Sequence, residues 1–157
     1  MAERARNYME GRDDMPGVFS FPSAKQATYA GTTHLAIGGR RNVQRAIEAA
    51  RNAVDIYRGA EADDRSTGDL LAAHLDLARG HMMAGGLDAA EEVLGFVFDS
   101  PPDQLSASIL ARLADLAGEL GTRQYRGSPQ VARLRERIKS VAQPIALPAI
   151  APSEPTT

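Results

Sequence analysis

Apolar residues recur along most of this chain at the three- and four-residue spacing of a helix face. The clearest stripe is Val43, Ala46, Ile47, Ala50, Val54 and Tyr57, with separations of 3, 1, 3, 4 and 3. It predicts a helix from Asn42, read as its N-cap, to about Arg58. Ahead of it, Ser23 is placed to cap a helix over Ala24 to Ile37, which Gly38-Gly39 ends. Behind it comes an acidic loop, Gly59 to Arg65. Ser66-Thr67-Gly68-Asp69 then resembles a capping box with Asp in place of Glu. It opens a third helix to about Ala84, with Leu70, Leu71, His74, Leu77, Ala78 and His81 on one face. Gly85-Gly86 breaks that helix. A fourth starts at Asp88, turns Ala89, Ala90, Val93, Leu94, Val97 and Phe98 inward, and stops at Pro101-Pro102. The fifth, Gln104 to Leu120, is striped by Leu105, Ile109, Leu113, Leu116 and Leu120. The sixth, Pro129 to Val141, has proline in its first turn and Val131, Leu134, Ile138 and Val141 on one side.

The two ends read differently. Residues 1–22 are polar and then proline-bracketed, an extended arm whose Phe19 and Phe21 are placed to pin it to the helices. Residues 143–157 hold four of the nine prolines and no aromatic, a disordered or polyproline-like tail. Between them, 23–142 forms the helical domain, and 157 residues suit one domain. The chain has 27 alanines but only four Phe, four Tyr and no Trp. Alanine loses no rotamer freedom in a helix, so the expectation is all-α, with closely approached helices and small residues at the contacts. The absence of cysteine excludes disulfides, thiolate zinc sites and a Cys nucleophile. There is no apolar run of about 18 residues to span a membrane, and the charged first residues show no secretory signal. A cytoplasmic protein is the resulting expectation. A net charge of -2 argues against a strongly basic nucleic-acid binder.

Six helices with short glycine and proline breaks read as about three antiparallel pairs. From Leu71 to Pro102 the chain resembles a tetratricopeptide (TPR) repeat. Leu77-Ala78 fits the small contact of the first helix. Gly85, Ala90, Leu94, Val97 and Pro102 match the turn glycine, the second small contact, two core positions and the closing proline. His74 and His81 stand where Trp and Tyr are usual. Ala24 to Arg58 reads as a similar pair with Ala46 in the place of Ala90, and the loop 59–65 lengthens the period. Gln104 to Val141 keeps the helices and loses the signature. The longer pattern, GVFSFPSAKQATYAG (17–31), ADDRSTGDLLAAHLDLARGHMMAGGLDAAEEVL (62–94), FDSPPDQLSASILARLADLA (98–117) and YRGSPQVARLRERI (125–138), resembles the C-terminal TPR-like domain of actinobacterial helix-turn-helix (XRE-type) transcriptional regulators. The resemblance implies an α-solenoid in transcriptional regulation. Only sixteen residues precede Gly17, too few for the helix-turn-helix, so direct DNA binding is not carried over. The expectation is a sensor half without its reader, or a stand-alone relative.

No catalytic constellation emerges. His74 and His81 share a helix face but lie roughly 10 Å apart along the axis, too far for one metal. The carboxylates (Asp63, Asp64, Asp69, Asp76, Glu91, Glu92, Asp99, Asp103) pair with no His at an acid/base spacing. Gly38-Gly39-Arg40-Arg41 follows a helix, not a strand, so it is not a phosphate loop. A non-enzyme without metal or cofactor is expected. Residues 61–103 carry net charge -8 and 123–139 carry +5, which suggests a homodimer with the basic last helix of one subunit against the acidic middle of another. Stacked helix pairs also make a groove. Thr28 and Leu35 of the first helix, with Ala72, Leu75, Asp76, Arg79, Met82 and Met83 of the third, are expected to line it, together with Gly31. Arg79 would clamp a carboxylate, and the methionines would form a soft wall. The function expected is a non-catalytic sensor or interaction module that binds a peptide, protein segment or small signal. The alternatives are a ligand-free scaffold or dimerisation module, and a small helical enzyme of a biosynthetic cluster.

Overall fold

The structure is a computed structural model that describes residues 23–60 and 66–142. The expected arm (1–22), most of the acidic loop (61–65) and the tail (143–157) lie outside the described residues. Within them the chain is all-helical, with six α-helices and no strand: α1 (Ser23–Ile37), α2 (Arg40–Gly59), α3 (Thr67–Met83), α4 (Leu87–Phe98), α5 (Ala107–Leu120) and α6 (Pro129–Ala142). Two short 3-10 turns, Pro102–Gln104 and Arg123–Tyr125, flank α5.

The first and fourth helices each start one residue earlier than expected, at Ser23 and Leu87, and two other starts differ by more. Asn42 does not cap α2. The helix begins three residues earlier, at Arg40 with Gly39 as the cap, and the Asn42 side-chain amide donates back to the Gly38 carbonyl at 2.8 Å. Gly38 and Gly39 hold φ of 71° and 81°. The chain reverses in these two left-handed residues, which only glycine adopts cheaply, and the next helix starts at once. α5 begins at Ala107, not Gln104, because the Ser106 side chain accepts the Ile109 N–H at 3.4 Å. The Ser66 cap is as expected, its hydroxyl accepting from the Asp69 N–H.

All six members of the α2 stripe are buried. α1 packs on α2 and α3, α2 on α3, α3 on α4 and α5, α4 on α6, and α5 on α6. α3 is therefore covered on several sides, and ten of its seventeen residues are buried, more than a single stripe supplies. It carries two stripes. Leu70, Ala73 and Leu77 join Ala24, Ala27, Val43, Ile47 and Val54 in one apolar cluster with α1 and α2. Leu71, Leu75, Ala78 and Met82, at spacings of 4, 3 and 4, join Leu94, Leu113, Leu134 and Ile138 in a second with α4 to α6. The two small contacts, Ala78 and Ala90, are fully buried in that second cluster. At Gly80 the approach to α2 is so close that a Cβ would stand 2.8 Å from Ile47 Cγ1.

Candidate functional site

The cleft lies where α1, α3 and α5 meet, and holds about 110 Å³. Leu75 and Leu116 form its apolar part, and the rest is charged or polar: Thr32, Asp76, Arg79, Arg112, Asp115 and Glu119. Asp76 is the anchor, only 5% exposed. Its Oδ2 accepts the Thr32 hydroxyl at 2.8 Å, and its Oδ1 faces Arg112 Nη2 at 3.4 Å. Arg112 also donates through Nη1 to the Ala72 carbonyl at 3.1 Å. Arg79 grips Glu119 with two contacts, Nη2 to Oε1 at 2.6 Å and Nε to Oε2 at 3.2 Å. Burial pushes the Asp76 carboxyl above its ordinary value, while Arg112, Thr32 and Arg79 pull it back. Asp115 is exposed and, among the described residues, has no cation partner.

Leu75, Asp76 and Arg79 line this cleft, and Ala72 contributes its carbonyl. The other expected groove residues lie elsewhere. Thr28, one turn before Thr32, bonds the Ala24 carbonyl within α1. Leu35 and Gly31 lie on the buried face of α1, and Met82 is 1% exposed in the core because the second α3 stripe runs through it. Met83 is exposed beside the start of α2 and faces a different concavity. Arg79 does have the fork geometry expected of a carboxylate clamp, but the carboxylate it holds is Glu119 of its own chain. The sequence reading missed Thr32, Arg112, Asp115, Leu116 and Glu119. A signal for three of them exists in hindsight. Asp76-x-x-Arg79 on one helix and Arg112-x-x-Asp115-x-x-x-Glu119 on another carry opposite charges in complementary order.

Of the two histidines expected at the repeat's packing positions, His74 is a core residue and His81 is only half-buried. His74 is 3% exposed. Its Nδ1 donates to the Leu70 carbonyl at 2.9 Å, which leaves Nε2 to accept from Arg58 Nη2 at 3.1 Å. That pair of bonds requires the neutral ring. The ring stacks on Phe96 at 4.2 Å between centroids, and the Arg58 guanidinium lies 5.4 Å from the Phe96 centroid. Burial lowers the His74 pKa from 6.5, and Arg58 lowers it further. A base whose folded pKa is depressed loses proton-linked stability as pH falls from its unfolded value toward the folded one. Denaturant midpoints are thus expected to decline as pH drops below 6.5, with a shallower decline in His74→Gln. His81, lowered by burial and by Arg51, supplies the residual slope in that variant. Equal slopes in the two proteins would remove His74 as the titrating group.

No group of three His, Cys, Asp or Glu among the described residues is arranged to hold a metal ion. No described helix is long and apolar enough to cross a membrane. The basic character of α6 is largely taken up within the chain. Arg135 Nε donates to the Ala117 carbonyl at 3.0 Å, Arg137 lies over the Phe98 ring at 4.5 Å, and Lys139 pairs with Glu136. Gln130 of the same helix donates to Asp88 and Glu91 of α4. No family model, curated protein or solved structure matches the chain.

Proposed function

We propose that this chain is a non-catalytic interaction module whose α1–α3–α5 face receives a segment of another polypeptide. The cleft at Asp76 carries this reading. Its 110 Å³ equals only a few water volumes of about 30 Å³ each, well below the roughly 300 Å³ at which small-molecule pockets begin. The space suits one polar side-chain end of a longer segment, which favours a peptide or protein over a small signal molecule. Three carboxylates face two guanidiniums there, and Asp115 is the acid left over. A Lys or Arg side chain from the partner is the matching occupant.

A TPR-like array would support the same reading. In it, the first helices of successive pairs would line a shared face, and the α1–α3 and α3–α5 contacts agree with that order. The resemblance to XRE-type regulators would put the module in transcriptional regulation. Self-association would draw on Arg123, Arg126 and Arg133, whose charges no carboxylate among the described residues takes up.

Native mass spectrometry of the protein purified gently from its own host tests the reading. The expected result is a polypeptide of added mass that departs on activation. Asp115→Lys is expected to abolish retention with an unchanged melting temperature, since Asp115 is exposed and its side chain bonds nothing among the described residues. A bare dimer that ignores Asp115→Lys would favour the scaffold alternative, and turnover of a small metabolite would restore the enzyme.

A further inference from the structure

The first two turns of α2 carry Arg40, Arg41 and Arg45, all exposed. Among the described residues none of the three forms an ion pair, whereas Arg79, Arg112 and Lys139 each face a carboxylate. The three guanidiniums rim an open concavity of about 1020 Å³ between the start of α2 and the end of α3. Its wall is apolar at Val43, Met83 and Ala84, and Met83 is 40% exposed there. The single carboxylate in the lining, Glu48, accepts from Gln44 at 3.2 Å, so the surface keeps a net charge of +2. The first turn of α2 contains no acidic residue. Positive charge therefore stands at the helix end whose dipole is also positive, an arrangement that stabilises nothing inside the chain.

We propose that this concavity docks an acidic segment of a partner protein, one with an apolar side chain beside its carboxylates. Three guanidiniums offer fork geometry to carboxylates, and Met83 offers an adaptable apolar wall for the anchor. The volume is that of a site for several side chains, not one. No aromatic residue lines it, so it lacks the stacking platform that single-stranded nucleic acid uses. The site shares no residue with the Asp76 cleft and stands whether or not that cleft binds anything.

Fluorescence anisotropy at low salt with a labelled peptide of Glu-Glu-Leu repeats tests this. The peptide is expected to bind saturably at one site and to weaken as salt rises. In Arg41→Glu/Arg45→Glu affinity is expected to fall about tenfold or more, with the circular dichroism spectrum unchanged because both side chains are exposed. Met83→Ser is expected to reduce the Glu-Glu-Leu peptide to the level of an all-Glu peptide, a readout independent of charge. The proposal is overturned if no peptide binds, if a Gln-Gln-Leu peptide binds equally, or if neither variant changes affinity. It is also overturned if a single-stranded oligonucleotide binds more tightly than the peptide. A concentration-dependent dimer in sedimentation that Arg41→Glu/Arg45→Glu dissolves would assign the surface to a second copy of this chain instead.

Discussion

Arg112→Ala is expected to destabilise the protein by about 2–3 kcal/mol, read as a shift in urea midpoint at constant slope. The loss comes from what it strands. Asp76 is buried, and Arg112 is its ion-pair partner across the α3–α5 contact. Removing the guanidinium leaves a desolvated carboxylate with the Thr32 hydroxyl on its other oxygen, and leaves the Ala72 carbonyl without its donor. Wholly buried pairs cost about 3–5 kcal/mol when one member is deleted. The Arg112 side chain is 32% exposed and the N–O distance is 3.4 Å, so solvent screens part of that. Asp76→Asn in the Arg112→Ala background is expected to recover much of the loss, since it removes the stranded charge and can keep the Thr32 bond. If Arg112→Ala stays within about 0.5 kcal/mol of wild type, the pair behaves as a screened surface contact and Asp76 owes its position to packing alone.

Gly80→Ala is the second substitution with a large expected effect, about 2 kcal/mol of destabilisation, and Gly80→Leu a larger one. An added Cβ would meet Ile47 Cγ1 at 2.8 Å, and Ile47 is itself 5% exposed and held in the α2 stripe. The atom that must give way is close to the backbone of a β-branched residue, not the end of a flexible chain. Helix propensity favours alanine by up to about 1 kcal/mol, so a measured loss despite that gain identifies the clash. The decisive measurement is the cycle with Ile47→Ala. Each single change should destabilise, and the double variant should lose less than the two losses added together, because the space vacated by Ile47 admits the new methyl. Strict additivity would show that α2 and α3 relax apart and that the close approach is not what glycine provides.

The helices were legible because each stripe is a local property. The six stripe residues of α2, Val43 to Tyr57, are read off one face and are all buried. Ser66 was legible as a cap for the same reason, since its partner N–H lies three residues away. Asn42 misled because a side-chain amide that bonds backward to Gly38 looks, in sequence, like one that caps forward. Met82 misled because one stripe was assigned to α3 and a helix shared by two apolar clusters needs two. The cleft was half legible. Asp76 and Arg79 sit on one turn-spaced face, but Thr32 and Arg112 reach them across 44 and 36 residues of sequence, and Glu119 reaches Arg79 across 40. Such contacts follow from which helices stack, and no local spacing contains that. His74 read correctly as a core residue, whereas its stacking on Phe96 is likewise a tertiary result.

The double role of α3 has a consequence for how the chain melts. An array of helix pairs in which each pair contacts only its neighbours tends to lose its ends first and to unravel in steps. Here the same backbone segment closes both apolar clusters, with Leu70, Ala73 and Leu77 turned one way and Leu71, Leu75, Ala78 and Met82 the other. Neither cluster can open its α3 side without uncovering the other. The six helices are thereby expected to melt as one cooperative unit, with the α3 amides exchanging only when both clusters open together.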